Sequence, residues 1–343
     1  MKKIMLGMSG GVDSTVAAHR IKSAGYDVTG VTLSLYPENG LAEVEDAKRV
    51  AAAMGIPHET VDLSEAFHRE VIGRFIRAYQ LGETPNPCID CNRTIKFGEM
   101  LRYAESQGVP FIGTGHYARI ERHGDRFLLK RARDESKDQT YVLYCLTQHQ
   151  LAHTVFPLGD YHKSEIREIA EAEGFVNARK HDSQDICFVP DGDYASFIEQ
   201  YTGETFPEGD YIDKDGTVLG RHRGMIRSTV GQRKGLGIAL GKPAFVCAKC
   251  AATNTVTLGD NADLFASTLT ARDVNLIACD SISTPTRVTA KIRYGQNETL
   301  ATVEQIGEGR IRVDFDVPQR AIARGQSVVL YDGETVVGGG IIE

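Results

Sequence analysis

The chain has 343 residues, 41% hydrophobic and 25% charged, the balance of a folded globular protein rather than a disordered one. No stretch approaches the ~18 uninterrupted apolar residues that a membrane helix needs. A formal net charge of −7 excludes a broad basic surface but leaves room for a local patch that holds phosphates.

The elements read in order as follows. Residues 3–8, KIMLGM, form an apolar run too short for a secretion signal, because it enters a glycine loop at once; it reads as a buried first strand, and the chain as cytoplasmic. A helix is predicted over 13–24, a strand over 27–35, a helix over 41–55, a strand over 58–63 and a longer helix over 64–81. A proline-rich loop follows, then a helix over 92–107 and a strand over 110–115. Strands alternating with amphipathic helices imply an α/β domain built on a parallel sheet, with ligands beyond the carboxyl ends of the strands. After about residue 200 the segments become short, alternating and glycine-punctuated, as in a β-rich barrel or sandwich. The expected division is 1–200, a small linking module over 201–270, and a β-barrel-like domain over 271–343. No hydrophobic interface stripe stands out, so a monomer is expected.

The stretch Ser9-Gly10-Gly11-Val12-Asp13-Ser14 joins the first strand to the first helix. Its glycines permit a sharp turn and close approach to a ligand. Successive amides and the helix N-terminus attract an anion, and Ser9 and Ser14 add hydroxyls. Asp13 is placed either to cap the helix or to help hold Mg2+. The Lys-Ser/Thr pair that closes a Walker A loop is missing, so the loop suits retention of pyrophosphate rather than transfer of a terminal phosphoryl group.

This SGGVDS loop resembles the signature of the PP-loop ATPases, which cleave ATP between the α and β phosphates and adenylate a carbonyl oxygen. The segments TPNPCIDCNRTIKF (84–97), GTGHYAR (113–119), KDQTYVL (137–143), SQDICF (183–188), GQRKGLGI (231–238), RYG (293–295) and RAIARGQSVVLYDG (320–333) run in order along nearly the whole chain and resemble the tRNA-specific 2-thiouridylases. The resemblance implies ATP-dependent exchange of the C2 oxygen of the wobble uridine of tRNA for sulfur, releasing AMP and pyrophosphate. It places ATP on Gly7, Met8, Ser9, Gly10, Gly11, Val12, Asp13 and Ser14, with Leu33 and Gly115 flanking the adenine and ribose. It places the base against Asn86, Pro87 and Cys88, with His116, Lys137, Asp138 and Gln139 nearby. Asp138 is the candidate general base or partner of the uracil N3–H. Arg293, Tyr294 and Gln326 are expected on the anticodon stem-loop, and the basic stretch 222–235 on the stem. The partners implied are tRNA and a sulfur donor, a persulfide carrier or free sulfide, with neither DNA nor membrane.

The chain has seven cysteines, an odd number that argues for thiol chemistry or metal ligation over a disulfide framework. Cys91 is expected at a helix start, near Arg93 and Lys96, where its thiol pKa is lowered. By resemblance Cys187 carries a persulfide and Cys91 is its partner thiol, the cycle leaving a Cys91–Cys187 disulfide. Cys88 stands where the family most often has Asp. It is a resolving thiol, a replacement at the mouth of the site, or one of three thiolates, with Cys91 and Cys187, holding a 4Fe–4S cluster. Cys247 and Cys250 make half a zinc site and read as coincidence, while Cys145 and Cys279 read as small buried hydrophobes. Two other classes compete: a nitrogen-transferring PP-loop ligase and a non-catalytic tRNA-binding protein.

Overall fold

The computed structural model describes residues 1–36, 41–175, 177–178 and 186–343. Five parallel strands, β1 (Lys3–Gly7), β2 (Asp27–Ser34), β3 (His58–Asp62), β4 (Phe111–Gly113) and, further along the chain, Thr154–Val155, form the first sheet. Its order is β3-β2-β1-β4, with Thr154–Val155 at the edge. Strand alternation sorts the core. Ile4 and Leu6 pack with Val16, Ala17 and Ile21 of α1 (Val12–Ser23), Val50 of α2 (Leu41–Ala53) and Ile166. Met5 and Ile112 face the other way, onto Phe97, Met100 and Leu101. Both faces are covered, as an all-parallel sheet requires. The chain leaves β1 toward β2 on one side and later returns as β4 on the other. The switch point therefore lies between the carboxyl ends of β1 and β4, where ligands bind in such sheets.

The helix expected over 92–107 starts earlier. Asn86 caps it by accepting the Cys88 amide at 3.1 Å, and Pro87 occupies the first helical position. The run 87–106 is helical throughout, with wider π-type turns over Cys91–Glu99. The helical run 64–80 contains a similar stretch at His68–Ile72.

A hairpin absent from the sequence reading, β5 (Arg119–His123) and β6 (Arg126–Lys130), turns at Gly124 with φ +60°. With Thr154–Val155 as β7, the middle module contributes β8 (Gly209–Ile212), β9 (Val218–His222), β10 (Phe245–Cys250) and β11 (Thr255–Gly259), ordered β10-β11-β8-β9. The last six strands are β12 (Phe265–Leu276), β13 (Thr286–Lys291), β14 (Thr299–Gly307), β15 (Arg310–Arg320), β16 (Ser327–Asp332) and β17 (Thr335–Ile342). They close into an antiparallel barrel, since β17 pairs back onto β12 at Ala271↔Ile342 and Leu276↔Gly338. The hairpin joins β17 through Thr335↔Lys130. Among the described residues no helix is long and apolar enough to cross a membrane.

Candidate functional site: a glycine loop beside three thiols

The loop 8–11 is pinned at both ends. Met8 donates its amide to the Val31 carbonyl at 2.7 Å, and Thr32 Oγ1 donates to the Met8 carbonyl at 2.8 Å. Ser14 Oγ accepts the Ser9 amide at 3.2 Å and donates to the Gly11 carbonyl at 3.1 Å. Gly10 has φ +68°, and a Cβ there would stand 2.8 Å from Asp46 Cβ and 2.9 Å from the Glu43 carbonyl. Glycine is thus required by both conformation and space. Thr15 donates its amide to the Gly11 carbonyl at 3.2 Å, the first backbone bond of α1, so the amides of the helix's first turn before it have no partner within the helix. Gly115 closes the other wall: a Cβ on it would lie 2.9 Å from the Ser14 amide nitrogen. Leu33 is half-buried and packs on the hydrophobic clusters below the crevice.

Asp13 neither caps the helix nor stands free. Gly11 is the N-cap, and both Asp13 carboxylate oxygens accept Lys163 Nζ at 2.7 Å, one of them also taking the Tyr117 hydroxyl at 2.7 Å. Lys163 is 7% exposed. The lysine missing from the loop is therefore supplied from 150 residues away. The sequence carried a signal for it: a lysine in the first turn of helix Lys163–Ala172 opposes the helix dipole and needs a local reason.

Three thiols lie beside this crevice. The expectation that Cys91 sits at a helix start with a lowered pKa is corrected. It lies one turn inside the helix, buried among Ile72, Ile95 and Phe188, and burial pushes its thiol up to about 12. Cys88 takes the place at the helix N-terminus and is exposed. Cys187 is exposed at a tight turn in which Val189 donates to the Ile186 carbonyl at 2.8 Å, while Phe188 and Val189 anchor the turn in the core. Partial burial of its thiol and the proximity of Cys88 push Cys187 upward, and Lys96 opposes them. Lys96 acts on Cys91 and His116 as well, so one cation faces all three groups. Residues 183–185 of the SQDICF segment lie outside the described residues.

Most of the other expected site residues hold hydrogen bonds within the chain. His116 is 9% exposed, its Nδ1 paired with Thr114 Oγ1 at 2.7 Å and its ring set against Phe97 and Phe156. Burial holds it neutral, well below the ordinary histidine value, and sets its ring in the floor of the site. Asp138 accepts the Ala132 amide at 3.0 Å and the Thr140 hydroxyl at 2.5 Å; burial raises its pKa, and its carboxylate shapes the turn. Gln139 clamps Tyr117, accepting its amide at 2.8 Å, and half-buried Lys137 closes a short turn on the Asp134 carbonyl. Arg293 is consumed internally, donating to the Val230 and Ala321 carbonyls at 3.2 and 2.9 Å, and Gln326 donates to the Thr84 carbonyl at 2.8 Å. Tyr294 keeps the expected exposure at 45% and reaches the Asp138 carbonyl at 3.4 Å. Within the basic stretch His222 is buried and Arg227 pairs with Glu199, leaving Arg223, Arg233 and Lys234 exposed. Among the described residues no three His, Cys, Asp or Glu side chains converge as a metal group, Cys247 and Cys250 included.

A doubly covered parallel sheet, a lysine-less glycine loop at its switch point and clustered thiols define a PP-loop protein equipped for sulfur. Residues 2–191 match the family described as tRNA methyl transferase HUP domain, 195–260 its PRC-barrel domain and 266–342 the aminomethyltransferase beta-barrel domain. The chain is 49% identical to the tRNA-specific 2-thiouridylase MnmA of Clostridioides difficile (strain 630), covering 100% of this chain and 98% of that one. It is 51% identical to the MnmA of Moorella thermoacetica, covering 99% of each chain. The chain belongs to the tRNA-specific 2-thiouridylase family.

Proposed function

We propose that this chain is a tRNA-uridine 2-sulfurtransferase, exchanging the C2 oxygen of the wobble uridine for sulfur while converting ATP to AMP and pyrophosphate. The observation that carries the reading is one continuous site. Gly115 presses on the loop at Asp13 and Ser14, His116 follows it, and Lys96 links His116 to Cys91 and Cys187.

ATP phosphates lie on the loop amides and the start of α1. The uridine C2 oxygen attacks the α phosphorus, the α–β bond breaks, and pyrophosphate leaves with the electron pair. Lys163 turns from Asp13 to that developing charge. The terminal sulfur of a persulfide on Cys187 then attacks C2 and expels AMP. Cys91 attacks Cys187 Sγ, the S–S bond breaks, and the base keeps sulfur at C2. The resulting Cys91–Cys187 disulfide is reduced by an external thiol. Burial keeps Cys91 protonated, which restrains it from attacking the persulfide before the base arrives.

Asp13 fits a magnesium ion once Lys163 has left it; the ion would screen the departing pyrophosphate. The three thiols do not converge as a metal group and so do not fit an iron–sulfur cluster. The sulfur donor is a persulfide carrier: the Cys187 thiolate attacks the carrier's outer sulfur, the carrier's S–S bond breaks, and the carrier leaves as a thiol. The test supplies unmodified tRNA, ATP and a persulfide donor and measures 2-thiouridine by nucleoside mass spectrometry. Loss of product in Cys187→Ser is expected; full product from a Cys91→Ser/Cys187→Ser double variant overturns the reading.

A further inference from the structure

Thr84 to Cys91 is the segment that presents Cys88 and Cys91, and its root is held by all three modules at once. Glu83 is 7% exposed, and its carboxylate oxygens take Arg272 Nη2 of β12 at 3.1 and 3.3 Å. Its backbone carbonyl takes Lys249 Nζ of β10 at 3.4 Å. Lys249 is itself 8% exposed, with its ammonium 5.6 Å from the centre of the Tyr79 ring. The barrel also grips the next residue: Thr84 donates its amide to the Arg324 carbonyl at 2.7 Å and accepts Gln326 Nε2 at 2.8 Å. Between these bonds sits Gly325, at φ +86°, where a Cβ would stand 2.7 Å from Glu83 Cβ.

A buried carboxylate is a weak choice for stability, because apolar residues of similar volume serve as well or better. What it supplies is one fixed register, since only one placement of the loop satisfies the guanidinium, the ammonium and the barrel backbone together. Three residues downstream of Glu83, Asn86 starts the helix that carries Cys88 and Cys91. We infer that Glu83 is a positioning residue for thiolation, locking the stem of the 84–91 segment to both the barrel and the middle module so that those modules set where the thiols stand. Its role in thiolation rests on the function proposed above; its role in holding Cys88 does not.

The test uses the full chain with Glu83→Ala, Glu83→Gln and Arg272→Ala, and reads two quantities. The first is the rate of Cys88 alkylation by iodoacetamide, resolved by peptide mass spectrometry. The second is kcat for tRNA thiolation beside KM for ATP. Glu83→Ala and Arg272→Ala speed Cys88 labelling severalfold and lower kcat at least about ten-fold, as a displaced reacting group does, with KM for ATP unchanged. Glu83→Gln, which still offers an oxygen to Arg272, recovers most of both. Wild-type labelling in folded Glu83→Ala and Arg272→Ala overturns the inference. If Glu83→Ala fails to fold, Arg272→Ala carries the test from a half-exposed position. Labelling needs no tRNA, so a chain that fails to thiolate overturns the proposed function and leaves this measurement standing.

Discussion

Lys163 and Lys96 are the two cations on which the proposed chemistry turns, and neither sits where a motif would place it. Lys163 pairs its charge with Asp13. Lys163→Met removes the group that meets departing pyrophosphate, so tRNA-dependent AMP formation falls by about 10²-fold or more, the scale for losing one preorganised charge donor. Quantified AMP release checks this, and activity within threefold of wild type contradicts it. For Lys96, the sign follows from its opposition to burial at Cys91 and Cys187. A thiol whose pKa is raised holds less thiolate at neutral pH, so Cys187 alkylation climbs as pH rises past the ordinary thiol range. Lys96→Met moves that profile to still higher pH, while Lys96→Arg leaves it near wild type. Peptide-resolved alkylation between pH 7 and 10 reads it.

At the scale of elements, the reading succeeded where local rules and the fold agree. The strand–loop–helix of residues 3–23 follows from an apolar run, paired glycines and an amphipathic repeat, and the structure keeps it. It failed where a cap outweighed the apolar pattern. Asn86-Pro87 is a helix-start signal, yet two prolines, Pro85 and Pro87, and the polar residues around them read as loop, which displaced the helix start past Cys91 and gave that cysteine the wrong environment. The hairpin 119–130 was legible as RIERH, a Gly-Asp turn and RFLLK, but it sits inside an α/β run and joins a sheet formed by the last strands, a pairing no local signal announces. The bonds of Arg293 to Val230 and of Gln326 to Thr84 were hidden for the same reason: these partners are close only after three modules assemble. If the Asn86 cap orders the thiol segment, Asn86→Ala costs about 1 kcal/mol. The amides of residues 88–91 then exchange hydrogen faster, while those of β1 do not. Equal acceleration in both places would mean that the cap supports the whole domain and not the segment.

The whole molecule is less divisible than its sequence. One hydrophobic cluster contains Met5 and Ile112 of the parallel sheet together with Val329, Tyr331 and Val336 of the barrel. Tyr141 and Tyr144 seal it by bonding Ser327, and Asn275 holds the Tyr144 and Leu146 carbonyls at 2.6 and 3.0 Å. A seam of this kind is a core cut by two strand systems, not a docking face between independent units. The middle module instead has its own small core of Tyr211, Val246, Val256 and Leu258. In denaturant the amides of β1, β4 and β16 therefore open together, and those of β8 and β11 open earlier. Acid acts on this same unit. His116 at the seam of sheet and site is held neutral by burial, as are His58 and His222 to a lesser degree. Each binds a proton less readily folded than unfolded, so stability is full above the ordinary histidine value and falls below it, by up to about 1.4 kcal/mol per pH unit for fully buried His116 and by less for the screened His58 and His222. Because His116 lies in the shared core and His222 in the small one, lowering the pH from 7.5 to 5.5 should bring both openings to lower denaturant without merging them. A barrel that opens apart from the sheet at either pH would show that the seam is an interface after all.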